Sequence, residues 1–425
     1  MTAQSADAVT HLLDRYRAVR GRSEYLCEPL EIEDYGVQSM DDASPIKWHL
    51  AHTTWFFETF VLKPYLSGYT AFQPEYEYLF NSYYNGVGQP FPRSHRGHLS
   101  RPTVAEVFSY RERIDEAVVG LIIDTRDDSE ALLRVELGLH HEQQHQELML
   151  TDIKHHFAQN PLYPVYRSTN VAQERQVGPL RYQSVDGGIV PVGAASGFCF
   201  DNELPRHDEL LPSFQLADRL VTNGEFLEFV RDGGYQASNL WLSEGWSIIQ
   251  AQHWQHPRYW REQDGEWFEF RLSGLKPLQV SAPVVHLSAH EAFAYAAWAG
   301  ARLPTEFEWE KVAVDAEPMA APDNCFVESE SYHPVGCDLL ADDLGCRELF
   351  GQVWQWTSSS YAPYPGYKTL PGTLGEYNGK FMSSQLVLRG GSIATPREHL
   401  RVSYRNFFYP PDRWQFSGLR LAKDG

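Results

Sequence analysis

Through the first 160 residues the apolar positions recur at helical spacing; after about residue 180 that period gives way to short apolar runs cut by Gly and Pro. Ala6 to Arg20 is amphipathic. Ser44-Pro45 offers an N-cap followed by proline at the first helical position. It predicts a helix running to Leu62, where Lys63-Pro64 stops it. Thr103 caps a third helix, Ala105 to Asp124, and Asp127-Asp128-Ser129 starts a fourth that runs to about His156. Four such helices, with a long excursion between the second and third, predict a four-helix bundle. From Asn160 to Gly178 the pattern dissolves into polar, proline-containing sequence that reads as a linker. The runs Gly188–Gly193, Phe198–Phe200 and Pro283–Leu287 then set an α+β texture, with helical patterns only at Asn223 to Asp232 and Ser288 to Gly300. The resulting division is a bundle over 1–160, a linker over 161–180 and a second domain over 181–425.

A chain of 425 residues exceeds what one core organises, which agrees with two domains. The net charge of -20 argues against nucleic acid or an anionic membrane as partner. Aromatic residues make up 14% of the chain, enough to line pockets with rings. Cys27, Cys199, Cys325, Cys337 and Cys346 are scattered, odd in number and free of any CxxC spacing, so they read as reduced thiols in a cytoplasmic protein. The N-terminus carries no signal-peptide pattern, and no apolar run reaches membrane-spanning length.

Candidate chemistry concentrates in the fourth helix, in Leu139-His140-His141-Glu142-Gln143-Gln144-His145-Gln146-Glu147. His141 and His145 are four apart, so their rings share one helix face and can grip one transition metal. Gln144 shares that face. A third ligand would have to come from another helix. Trp48-His49-Leu50-Ala51-His52-Thr53-Thr54-Trp55-Phe56-Phe57-Glu58 offers two histidines. Periodicity does not separate His49 from His52, because Trp48, Trp55 and Phe56 crowd both sides. The connection from Asn81 to Arg96 is long enough to carry function. Arg93 and Arg96 could clamp a carboxylate, and Tyr83 and Tyr84 could donate a proton.

Several motifs of the second half resemble the formylglycine-generating-enzyme/sulfatase-modifying-factor domain, a C-type-lectin-like α+β fold. They are Val221–Phe226, Arg302–Glu310, Gly351–Trp356, Leu388–Ser392 and Gly418–Arg420. Residues 1–160 resemble a DinB-like four-helix bundle. The two joined, with His-x3-His-x-Glu and Trp-His-Leu-Ala-His-Thr-Thr-Trp-Phe-Phe-Glu, are similar to the sulfoxide synthases of ergothioneine biosynthesis.

That resemblance implies a non-haem Fe(II) held by His52, His141 and His145, with O2 as co-substrate. It implies C–S bond formation between cysteine or γ-glutamylcysteine and imidazole C2 of hercynine (Nα-trimethylhistidine), together with sulfoxidation. Tyr83 and Tyr84 would supply the acid, and Arg93 and Arg96 would bind the thiol's carboxylate. Gln144 would hold the hercynine imidazole, Asn406 its carboxylate, and Phe407 or Phe408 its trimethylammonium by cation–π attraction. Zinc would accept the same three imidazoles, so iron rests on the resemblance. Two alternatives stand beside it: a related 5-histidylcysteine sulfoxide synthase acting on histidine, and, in a different class, an O2-independent DinB-like thiol transferase. The copper chemistry of formylglycine-generating enzymes needs a C-terminal cysteine pair, and no cysteine follows Cys346.

Overall fold

Polar residues as well as apolar ones face inward in the first half of the chain. The computed structural model describes residues 3–125, 130–169, 177–314, 318, 321–336 and 345–425. Two units are present: Met1–Tyr166 with Pro371–Glu376, and Arg167–Leu370 with Tyr377–Gly425. The helices of the first are α1 (Ala3–Cys27), α2 (Ile46–Phe57), the short turns α3 (Lys63–Tyr65) and α4 (Tyr76–Leu79), α5 (Val104–Asp124) and α6 (Glu130–Ala158). Among the described residues no helix is long and apolar enough to cross a membrane.

Helix α1 outruns the amphipathic stretch that ends at Arg20. Arg20 and Ser23 face inward onto Glu142 of α6, at 2.8 and 2.6 Å, and so interrupt the apolar period without ending the helix. The second helix also differs from expectation at both ends. Ser44 does not cap it: its backbone N–H is given to Asp152 and its hydroxyl accepts from Arg96. At the far end Pro64 does not stop the chain. A π-helical turn, Glu58–Leu62, carries α2 into α3, with Pro64 in the first turn of α3 and the helix ending one residue later at Tyr65. Thr103 and Glu106 form the capping box of α5. Asp127, Asp128 and Ser129, expected to start the fourth helix, lie outside the described residues.

Gly138 lets α2 and α6 approach. A Cβ there would lie 2.5 Å from Phe57 Cε1, closer than atoms can sit. Glycine costs a helix interior about 0.5–1 kcal/mol, and here that cost allows a helix contact one turn before His141. Gly138→Ala is expected to destabilise the first unit by about 1–3 kcal/mol through overpacking. Urea unfolding checks this, and an unchanged midpoint would mean that the ring swings aside freely.

The second unit carries β1 (Tyr182–Val185), β2 (Gly188–Val192), β3 (His207–Leu211), β4 (Phe214–Ala217), β5 (Trp260–Gln263), β6 (Glu266–Arg271), β7 (Gly274–Pro277), β8 (Trp354–Ser360), β9 (Leu386–Arg389), β10 (Asn406–Phe408), β11 (Ser417–Gly418) and β12 (Ala422–Asp424). They form sheets in the orders β1-β4-β12, β10-β9-β8-β11, β2-β3 and β5-β6-β7. Its helices are α7 (Asn223–Arg231), α8 (Ser243–Gln252), α9 (Ala289–Trp298) and α10 (Glu306–Ala313). Only α7 and α9 are expected from periodicity. Helix α10 is short and buries Glu306, Glu308 and Glu310 on arginines, so its buried face reads as polar. The free thiols among the described residues are Cys27, Cys199, Cys325 and Cys346; Cys337 lies outside them.

Candidate metal centre

Helices α2 and α6 pack side by side and bring three histidines to one point. One nitrogen from each of His52, His141 and His145 lies within 4.8 Å of the other two. The ring centroids form a nearly equilateral triangle, 5.0 Å for His52–His141, 4.7 Å for His52–His145 and 4.6 Å for His141–His145. His52 Nδ1 lies 2.6 Å from the Phe80 carbonyl oxygen, which can only accept. The proton is therefore on Nδ1 and Nε2 is bare. That Nε2 is 3.2 Å from His141 Nε2. Adjacent ligands bonded at about 2.1 Å to one ion stand about 3.0–3.4 Å apart, so the spacing fits a shared cation.

Burial pushes all three imidazoles towards the neutral, ligating form. It lowers His141 to about 3 and carries His52 and His145 well below the ordinary histidine range. His52 is held between two indoles one turn away on its own helix, Trp48 at 4.7 Å and Trp55 at 5.4 Å, both nearly parallel to it. Phe56 packs on His141 at 4.5 Å. His52 and His141 are thereby fixed in a buried aromatic shell, with His145 half-buried beside them. The set fits a divalent transition metal.

The two arginines of the long connection occupy different places. Arg96 is buried, with its guanidinium 3.4 Å over the Trp48 ring and one hydrogen bond, 2.9 Å, to the Ser44 hydroxyl. Its buried Nε has no partner, and burial pushes its pKa well below that of an ordinary arginine. Arg93 is about half exposed, donates to the Asp42 carbonyl at 2.5 Å and lies 4.0 Å from that residue's carboxylate.

Tyr84 is fully buried against Trp55 and Phe60, one ring removed from His52. Tyr83 stacks on it at 4.6 Å with the two hydroxyls 3.5 Å apart. Asn81 holds this loop from inside, accepting from the Tyr84 N–H and donating to the Tyr84 and Gly88 carbonyls. Glu376, in the distant segment of the same unit, holds it from outside by accepting the backbone N–H groups of Asn85 and Gly86 at 3.0 and 2.7 Å. Nothing in the sequence pairs Glu376 with this loop.

Gln144 is half-buried on α6, three residues after His141. Asn406, Phe407 and Phe408 form strand β10 of the second unit, antiparallel to β9. There Asn406 Oδ1 accepts from the Phe407 N–H, Phe407 stacks on Tyr361 at 4.0 Å, and Phe408 meets Trp414 edge-on at 5.8 Å. Arg405, immediately before the strand, is fixed by a bidentate pair with Glu306.

This chain matches two family models, the sulfatase-modifying factor enzyme 1-like domain over residues 169–425 and the DinB superfamily over residues 15–149. It is 31% identical to hercynine oxygenase of Mycobacterium tuberculosis, over 90% of this chain and 91% of that protein. Identity to hercynine oxygenase of Mycolicibacterium smegmatis is 32%, again over 90% of this chain and 91% of that protein. Ergothioneine biosynthesis protein 1 of Schizosaccharomyces pombe is 29% identical over 53% of this chain and 28% of its own length. The chain belongs to the family of these hercynine oxygenases, in which a DinB-type bundle is joined to a sulfatase-modifying-factor domain.

Proposed function

We propose that this protein is an Fe(II)- and O2-dependent sulfoxide synthase of ergothioneine biosynthesis. It joins a cysteine-type thiol, cysteine or γ-glutamylcysteine, to imidazole C2 of hercynine and oxidises the sulfur to the sulfoxide. The naming of its full-length relatives as hercynine oxygenases supports the substrate. The observation that carries the metal chemistry is the triad: a buried, neutral His52 whose Nε2 is turned towards His141 by the Phe80 carbonyl.

The electron count suits O2. Forming the C–S bond removes two electrons and forming the sulfoxide removes two more; one oxygen atom ends on sulfur and the other in water. Ferrous iron bound by three neutral imidazoles would keep its full charge and open positions, and would supply the redox chemistry with O2. The protein's own part is to bind, orient and protonate. Tyr83 and Tyr84 hold a proton at two neighbouring hydroxyls for transfer to reduced oxygen. Gln144, three residues after His141 on α6, orients the hercynine imidazole.

Arg96 receives the carboxylate of the thiol substrate, with Arg93 as the outer member of the pair. The buried guanidinium rests on an indole face and a single hydroxyl, and Asp152 acts on it only across Ser44; a substrate carboxylate would provide an anion in direct contact. Arg96→Met is expected to raise KM for the thiol about 10–100-fold, the worth of a hydrogen bond to a charged group, and to leave KM for hercynine unchanged. Removing so weakly compensated a buried charge should leave the melting temperature equal or higher. Steady-state kinetics with each substrate varied in turn check this.

The decisive assay is anaerobic reconstitution with Fe(II), followed by admission of air with hercynine or histidine and each thiol. Mass spectrometry of the products and O2 uptake are read together. A sulfoxide from hercynine supports the proposal. Product from histidine alone would make the chain a 5-histidylcysteine sulfoxide synthase, and product without O2 uptake would make it a thiol transferase.

A further inference from the structure

His145 has a partner that the triad does not use. Its Nδ1 lies 2.8 Å from Nδ1 of His49, and the other nitrogen of His49 lies 3.0 Å from Asp152 Oδ2. The same Oδ2 accepts the Ser44 backbone N–H at 2.8 Å. His49 and Asp152 are each only 3% exposed, so water does not supply alternative partners.

The order of protons along this line follows from elementary acidity. Asp152, the stronger acid, stands as the carboxylate and can only accept, so across the 3.0 Å contact the proton sits on His49 Nε2. With one proton on that ring, His49 Nδ1 is bare and can only accept. His145 Nδ1 must then be the donor across the 2.8 Å contact, which leaves His145 Nε2 bare. A second proton on His49 would reverse the contact, put a proton on His145 Nε2 and place another positive charge beside the ion's site. The singly protonated order is the one a cation selects.

We propose that His49 and Asp152 are positioning residues for the metal, a relay in which the carboxylate fixes the tautomer and orientation of His145 through an intervening imidazole. The proposal rests on the metal reading above. It gives the two histidines of Trp48–Glu58 separate tasks: His52 faces the ion, and His49 stands behind another ligand. A backbone carbonyl performs for His52, in one step, what the Asp152–His49 pair performs for His145 in two. The relay also brings a negative charge to bear on a ligand, which strengthens its donation to the metal.

The test uses the whole apo chain, with Co(II) as probe in competition with a chromophoric chelator, and reads both affinity and the cobalt d–d spectrum. His49→Phe removes the acceptor and is expected to weaken Co(II) about 10–100-fold, the usual worth of a ligand's outer partner, and to shift the d–d bands. His49→Asn places a carbonyl oxygen where Nδ1 stood and should restore most of the affinity. Asp152→Asn keeps the shape, loses the charge, and should weaken Co(II) about tenfold. Should His49→Phe not fold, the Asn variants at the two positions carry the test. Affinity and spectrum unchanged in His49→Phe, or unchanged in Asp152→Asn, would overturn the relay while leaving the metal site standing. Wild-type protein that binds no Co(II) would overturn the metal reading, and the relay with it.

Discussion

His52→Ala is expected to abolish metal retention and product formation, with the fold kept. His141 and His145 both come from α6, one turn apart, and a pair on one helix grips an ion from one side only. The third imidazole comes from α2 and closes the triangle whose sides are 4.6 to 5.0 Å. Its removal leaves the Phe80 carbonyl without its donor and opens a gap between Trp48 and Trp55. The loss of turnover should therefore go well beyond the roughly 10–100-fold expected for an outer partner such as His49. Metal content after Fe(II) reconstitution and desalting, with sulfoxide measured on the same sample, checks the claim. Near-stoichiometric iron in His52→Ala would remove the triad from the account.

Glu142→Gln has the largest expected effect on stability. Its carboxylate is buried and takes hydrogen bonds from Arg20 at 2.8 Å, from Ser23 at 2.6 Å and from Arg111. Burial alone would raise its pKa, but Arg111 and Arg20 outweigh that and hold it at about 2. The residue thus ties α6 to α1 and α5 by charge. The amide would leave Arg20 with Asp115 alone, at 2.6 Å, and Arg111 with Glu24 alone, at 3.0 Å, both of them partly exposed carboxylates; losing the buried partner of such a pair costs about 3–5 kcal/mol. At a urea slope of about 2 kcal/mol/M the bundle's midpoint should fall by about 2 M. Circular dichroism on the full chain reads it, and a fall under about 0.5 M would mean that Asp115 and Glu24 suffice to hold the two arginines.

The helix starts and the metal-binding face were legible where the signal is local. The capping box of Thr103 and Glu106 lies within one turn, and the spacing of His141 and His145 puts both on one face of any helix they occupy. The choice between His49 and His52 was not legible. All of Ile46–Phe57 except Lys47 is buried, and a helix buried all round has no polar side against which to read a period. Both histidines turn inward, one into the triad and one onto His145. Arg93 and Arg96 are equally ambiguous as a sequence pair, and only burial separates them.

By itself, the sequence determined the two-part architecture, the helix that carries two of the three imidazoles, and the family motifs that point to hercynine. These properties depend on residue type and spacing over a turn or two. Tertiary structure alone decided that Asp152 reaches His145 through His49, that Glu376 holds the Tyr83-Tyr84 loop, and that Glu142 anchors two arginines. Those partners are separated by up to 291 positions. No periodicity spans such a distance; the packing of α2, α5 and α6 and the return of residues 371–376 to the bundle are what bring them together.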